Sequence, residues 1–540
     1  MDYESKLKTI GINPEIINKI YDYITKQVDK SIINHNDEQP ISNININIFY
    51  EISQYLKRKD LLTVTSICKK IYSLRSIFMD KYFIQLPHIK ERGFIINNDF
   101  NKTIKNNLIT TTYNNLLLKI RKIKNVKNIK EYQFIREIEF NENFNNNIDD
   151  LENSQITNII FGKHFNQTVD KLPKTLKSLT LGLTFDQPIN KLPESLENLT
   201  LGYCFNKPIN ELPKSLKSLT LGLSFNQPIN NLPNTLTKLT INSYTTIDKL
   251  PNNLIYLELY DSINDINLPD TITHLTIDFK YEFKNFPKSL THLKTSYISL
   301  EKDSNIPDTI KYLTITKYYN KTIEKLPKKL VSLSLGGKSF DGDIKYDCIP
   351  NSLLYLKLNA SYNQNIDYLE KTSIKEIIFG ESFDILVEKL PQTLKILKFG
   401  SFFNKPINNL PNSIEEIYFG EHFNQPVNNL PENLRKIYFG YWFNYPINKL
   451  PKNLECIYFN QLFNHPIINL PTNLKKIYFG NNFNQPINNL PDSIIKLEFG
   501  YDFDQSVKKL PKNLKKIITR KTNMKKLKGI DPTIQIKITK

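Results

Sequence analysis

Read for apolar positions alone, the chain falls into a 20-residue rhythm. Between residues 390 and 510 one phrase returns six times. Leu410-Pro411 opens a unit; Ile414, Ile417, Phe419, Gly420, Phe423, Asn424, Gln425, Pro426 and Val427 follow at fixed places. The consensus is LPxxLxxLxFGxxFNQPINx. A second regular run opens at Leu172, Leu192, Leu212 and Leu232. Between the runs the interval wobbles, through Leu250, Leu268, Phe286, Ile306, Leu326, Ile349 and Leu369, but the phrase persists. A fixed period of this length means a solenoid, in which each unit buries its apolar face against its neighbours.

Each place in the unit has a physical reading. The eighth and tenth residues, such as Leu179 and Leu181 or Ile417 and Phe419, are two apart. They face one side of a short strand and the residue between them faces the other. Stacking one strand per unit gives a long parallel sheet. The glycine column after the strand holds eleven of the 16 glycines. It is expected to adopt a left-handed or tight conformation, and Asn242 and Asn460, which tolerate positive φ, replace it in two units. The phenylalanine at place fourteen should stack as an internal spine. The asparagine beside it should bond to loop backbone of the neighbouring unit. Seventeen prolines follow the opening leucine and eight occupy the FNQP place, out of 29. With no stretch suited to a helix, the return side is expected to be extended.

The L-xx-L-x-L wording is that of a leucine-rich repeat. FNQPI is narrower and resembles the FNIP repeat, a leucine-rich-like unit of slime moulds and of giant DNA viruses of amoebae. The resemblance spans about residues 131–520. It implies a mostly β solenoid with one short parallel strand per coil and an extended convex side.

The N-terminal part reads differently. Pro14 and the stripe Ile16, Ile17, Ile20, Tyr21 and Ile24 predict a helix, and residues 31–43 a linker. Over 44–83, Ile44, Ile48, Phe49, Ile52, Tyr55 and Leu56 keep helical spacing. Asp60 is placed as N-cap for a second helix with Leu61 and Leu62, and a third follows. These residues resemble the F-box, usually LPxEILxxIFSYLxxxDLLxxxxVCKxW. Ile44-Asn45 stands for its Leu-Pro and its Trp is missing near Ile71-Tyr72. The resemblance implies a small α-helical domain that docks a Skp-type adaptor through Ile44, Ile48, Phe49, Ile52, Leu56, Leu61 and Leu62. Residues 84–130 read as a helix or an atypical first coil, with regular coils from Ile138, Phe140 and Phe144. Residues 521–540 read as a cap closed by a strand at Ile534, Ile536 and Ile538.

Composition adds little. The net charge of +18 comes from basic residues spread along the chain, which favours a solvated lysine surface over a nucleic-acid footprint. Four scattered cysteines form no CxxC, so no disulfide framework or zinc site is expected. The start lacks a signal-peptide core and no apolar run reaches membrane-spanning length. The expected location is cytoplasmic, a host's cytoplasm if the source is viral; the basic residues from Arg520 to Lys528 would serve a nuclear one.

No Walker, GxSxG or HExxH motif is present, and no catalytic residue, metal or cofactor is assigned. His274 and His292 share a column of adjacent coils, expected to be solvated, and Cys456 reads as outward-facing. The candidate site is the exposed strand face. Its central residue is Thr180, Thr200, Thr220 and Thr240 in the first run, and Tyr418, Tyr438, Tyr458 and Tyr478 in the last. Arg435, Lys436, Lys475 and Lys476 flank the tyrosines, Glu415 and Glu416 lie at one end, and Trp442 lies just past its strand. Such residues dominate protein interfaces. The resemblances together imply a cullin–RING ligase substrate receptor that holds a target protein on a concave sheet. A scaffold with a degenerate F-box and a nucleic-acid-binding solenoid are the rivals.

Overall fold

The computed structural model describes residues 118–123 and 135–539, apart from 230, 263–266, 282–284, 318–320, 338–341, 508, 521–530 and 532. Two units divide the chain, Met1–Arg121 and Lys122–Lys540. The helices and F-box-like residues expected over 1–83 lie outside the described residues. A strand over Leu118–Ile123 stands where the sequence left a helix or a first coil open.

From Ile135–Phe140 to Gln535–Thr539 each strand pairs in parallel with the one before it. In the regular runs the register advances by one period, as in Tyr418↔Tyr438↔Tyr458↔Tyr478. In most three-residue strands the middle residue is buried and its neighbours are half-buried, as in Glu416–Tyr418. The described residues include no α-helix, only 3₁₀ turns at Asp149–Leu151, Tyr346–Cys348 and Asp367–Lys371. The C-terminal strand is present at Gln535–Thr539, paired with Lys516–Arg520.

Two turns per coil explain the consensus. In P-x-x-L the proline carbonyl accepts from the N–H three residues on, as Pro173 does from Leu176 at 3.0 Å. In G-x-x-F the glycine carbonyl accepts from the phenylalanine, as Gly182 does from Phe185 at 3.3 Å. The strand runs between these turns.

The core is a double aromatic column. Place-fourteen rings stack from Phe383 through Phe403, Phe423, Phe443, Phe463 and Phe483 to Phe503, at 5.9–6.3 Å. Place-ten rings stack beside them, and within a coil the two touch, as Phe419 and Phe423 do at 3.8 Å. Tyr362 takes the spine place in its coil, fully buried, its hydroxyl satisfied by Tyr368 at 3.0 Å.

Polar ladders close the loops. Asn404 Oδ1 accepts from Asn424 N–H (2.9 Å), Asn424 Oδ1 from Asn444 N–H (3.0 Å), and the chain continues through Asn464 and Asn484. Aspartate substitutes at Asp186 and Asp384. A second ladder was not read from the sequence. Ser195, Ser215 and Ser413 hydroxyls each donate to a carbonyl of the preceding coil, at 2.6–2.7 Å.

The glycine column corrects an expectation. Among the described residues the only glycine at positive φ is Gly337, beside the column, and neither Asn242 nor Asn460 has positive φ. The cause is proximity between coils. A Cβ on Gly420 would lie 1.8 Å from the carbonyl oxygen of Gly400. Where Asn242 fills the column, its amide donates back to the Leu221 carbonyl at 2.7 Å.

The sheet lies on the concave side of the 410–480 run. Exposed-face tyrosines repeat every 4.0–4.2 Å. The buried place-ten rings behind them repeat every 5.5–6.0 Å. Equivalent points that fan out with depth define an arc whose inner side is the outward sheet face.

Candidate partner-binding face

Tyr418, Tyr438, Tyr458 and Tyr478 form one continuous half-buried stack, with interplanar angles of 8–14°. Both ends are closed by cations. Lys398 Nζ lies 5.2 Å from the Tyr418 ring centre and Lys496 Nζ 4.3 Å from that of Tyr478. Lys496 also donates to the Tyr478 hydroxyl at 3.0 Å, and the Tyr418 hydroxyl donates to Glu416 Oε2 at 2.7 Å. Every ring face is therefore covered, and the column offers edges and hydroxyls to solvent. Burial, with Glu416 or neighbouring hydroxyls, pushes the Tyr418 and Tyr458 phenols up, so both stay neutral.

The flanking charges are not a free basic stripe. Arg435 Nε and Nη2 donate to Glu455 Oε1 at 2.8 and 2.6 Å, and Lys475 holds its other oxygen at 2.9 Å. Lys436 pairs with Glu416 at 2.7 Å and Lys395 with Glu415 at 2.8 Å. Lys476 sits in register between Cys456 and Lys496. Cys456 occupies the outward column, yet only 6% of it is exposed, because lysines of both neighbouring coils overhang its short side chain. Burial raises its thiol pKa.

Trp442 belongs to a different place, the rim beyond the glycine column. It is 49% exposed and continues a row with His422 (6.4 Å) and Phe402, which lies 4.9 Å from His422. Sequence reasoning singled out the tryptophan but missed Phe402 and His422. Their signal was available, since all three occupy place thirteen of consecutive coils.

The histidine column is also part of a larger stack. His274 and His292 lie 3.9 Å apart, with Tyr256 and Tyr312 each 4.3 Å beyond them. It is half-buried rather than solvated. The Thr273 and Thr291 hydroxyls meet the Nδ1 atoms at 2.8 and 2.9 Å. Burial lowers both imidazole pKa values, and Lys311 and the neighbouring ring lower that of His292 further. No cluster of three metal-ligating side chains occurs among the described residues. No helix among them is long and apolar enough to cross a membrane.

The FNIP Repeat model matches residues 165–204, 205–244, 385–422, 403–429, 423–462, 463–502 and 487–521. The chain carries FNIP repeats. They occupy the two regular runs and skip the coils between. No curated protein matches the chain. Among solved structures it is similar to CroV588, a circular leucine-rich repeat protein, with 27% identity and a TM-score of 0.52 over 78% of this chain and 84% of that one. YopM from Yersinia enterocolitica WA-314 matches at 16% identity and a TM-score of 0.32, over 78% and 76%. The FNIP coils are thus a leucine-rich-repeat-like solenoid, a protein-interaction scaffold type of fold.

Proposed function

We propose that this protein is a non-enzymatic receptor that holds a target protein on the concave face of its FNIP coils. The tyrosine column from Tyr418 to Tyr478 carries this reading. It is a pre-ordered, half-buried aromatic surface, so docking against it costs little side-chain entropy. Its covered ring faces offer no stacking platform for nucleic-acid bases, and three of its four flanking basic side chains already have carboxylate partners. The finer reading adds a cullin–RING ligase. Residues 44–83 would dock a Skp-type adaptor and bring the target near the charged E2, raising its effective concentration.

The test is a pull-down of the full-length chain with purified Skp-type adaptor, alongside Phe49→Ala and Leu56→Ala. Binding lost in both variants supports a ligase receptor. A folded protein that retains no adaptor leaves a scaffold. Cross-linking from cell extract, repeated with Tyr438→Ala/Tyr458→Ala, tests the concave face separately: a target retained by that double variant binds elsewhere.

A further inference from the structure

Behind the ends of the strands, the glycine column opens into a groove of about 500 Å³ that runs from Gly336 to Asn460. Three observations bear on what it could hold. The first is an unpartnered amide. Asn359 lines the groove, is only 3% exposed, and finds no hydrogen-bond partner for either Oδ1 or Nδ2. A buried amide in that condition costs stability unless a ligand completes it.

The second is charge. Glu381 and Glu421 line the groove two coils apart, both exposed, and neither forms an ion pair among the described residues. In the same coils the carboxylates of the sheet face are matched, Glu376 by Lys398 and Glu416 by Lys436. Lys357, also exposed and without an ion pair among the described residues, lines the other end of the groove, so the acidic part is the stretch from Glu381 to Glu421.

The third is the aromatic row beside them. Phe402 N–H donates to the Glu381 carbonyl at 2.9 Å and Trp442 N–H to that of Glu421 at 2.8 Å. Each acid is thus bonded to the backbone of an aromatic about half exposed, 52% for Phe402 and 49% for Trp442. Acid and aromatic recur together at the same two-coil interval.

We infer that this groove binds an extended, proline-containing peptide segment of a protein partner whose lysines or arginines lie three residues apart. Two coils at a strand spacing of ~4.8 Å separate the carboxylates by roughly 10 Å. Three residues of polyproline II advance about 9.3 Å, which brings successive cations to Glu381 and Glu421. The intervening apolar residues rest on Phe402 and Trp442, which stand beside the groove rather than in its lining. A peptide backbone group reaching the buried end of the groove completes the Asn359 amide. This inference rests on the reading of the solenoid as a protein-binding receptor and names a second surface, on the rim rather than the sheet face.

The probe is a fluorescein-labelled peptide of three Lys-Pro-Leu triplets, titrated with full-length protein and followed by anisotropy. Three Glu-Pro-Leu triplets serve as its counterpart. Saturable binding of the lysine peptide alone is expected. Glu381→Gln/Glu421→Gln and Trp442→Ala should each weaken it about tenfold or more. Glu211→Gln, an exposed acid of the first run, should leave it unchanged. Thermal melts establish that the variants are folded, and Trp442→Gln replaces Trp442→Ala if the latter is not. Equal binding of the glutamate peptide, an unaffected carboxylate double variant, or no binding of the lysine peptide overturns the inference. In any of these cases target capture that depends on Tyr438 and Tyr458 would still stand, so the two surfaces fail separately.

Discussion

The FNIP coils and the central coils solve one packing problem in two ways. In the run from 385 to 503 the glycine turn leads to a phenylalanine at place fourteen that fills the coil, and the strands are three residues long, as at Glu416–Tyr418 and Lys436–Tyr438. In the central coils the strands gain a residue, as in Tyr256–Leu259 and His274–Ile277, while Ile247, Ile323 and Ile344 keep the buried place of the FNQPI isoleucine, Ile247 pairing with Ile229. There the residue after the strand stays in the ladder, Tyr260 N–H donating to the Ile241 carbonyl at 2.9 Å. Extra pairing also appears across the coil, at Ile229↔Ile247 and Ile323↔Ile344. Aromatic mass moves as well. The central coils carry it at the first place of the strand, in the Tyr256–His274–His292–Tyr312 stack, and the last run carries it at the third, in the tyrosine column. The interior sets how a coil closes, and the outward face is then free to differ.

The comparison breaks most visibly at the spine. Phe423→Ala removes a ring stacked on both neighbours and should cost about 3–5 kcal/mol. Denaturant melts would measure it, and hydrogen exchange should rise mainly in the adjoining coils, because a solenoid transmits stability between neighbours. An unchanged melt would mean the spine is not what holds the run.

Adding a ring beside the place-fourteen position tests whether the central coils lack room. Ile247→Phe should destabilise by about 1–3 kcal/mol through overpacking. A stabilised variant would show that coil length, not volume, separates the two kinds of coil. Asn404→Ala comes next, at about 1 kcal/mol, since it strips the partner from Asn424 N–H and from the Gln425 amide. Exchange at the Asn424 amide is the local readout.

The histidine stack should respond to acid. Both pKa values lie below the ordinary 6.5, so the folded state favours neutral rings. Their contribution is complete above about pH 6.5 and is lost as pH falls through the lowered folded values. His274 and Lys311 near His292 oppose a second charge there. His274→Phe/His292→Phe should flatten melting temperature against pH in this range, and an unaltered slope would exclude the stack as its source.

The smallest effect is expected at Glu197, gripped by Lys177 and Lys217, which draw its carboxyl down to about 2. Its contribution is present above about 4.5 and disappears as pH falls toward 2. The site is exposed, so Glu197→Gln should change stability slightly at low salt. At about 1 M salt, where charges are screened within ~3 Å, the difference should vanish.

Much of the solenoid was legible because its signals are local and repeated. Phe423 and Asn424 recur at fixed places, so their stacking and laddering follow from a parallel register of one period. The adjacency of His274 and His292 followed the same way, despite an 18-residue step between them. Other readings failed where the answer depends on how closely coils approach. The glycines looked conformational and are steric. Cys456 looked exposed and is covered. The basic side chains beside the tyrosines looked available, and most are paired across coils.

By itself the sequence determined the repeat, its strand, the inward and outward places and the columns that recur. A period of 20 fixes which residues are neighbours, and the chemistry of each column then follows from type. Only the tertiary structure decided the distances between those neighbours. The 4 Å spacing of the tyrosines against the 6 Å spacing of the buried rings sets the sense of curvature and covers the tyrosine ring faces. Curvature is a sum of small rotations between coils, and no single coil encodes it.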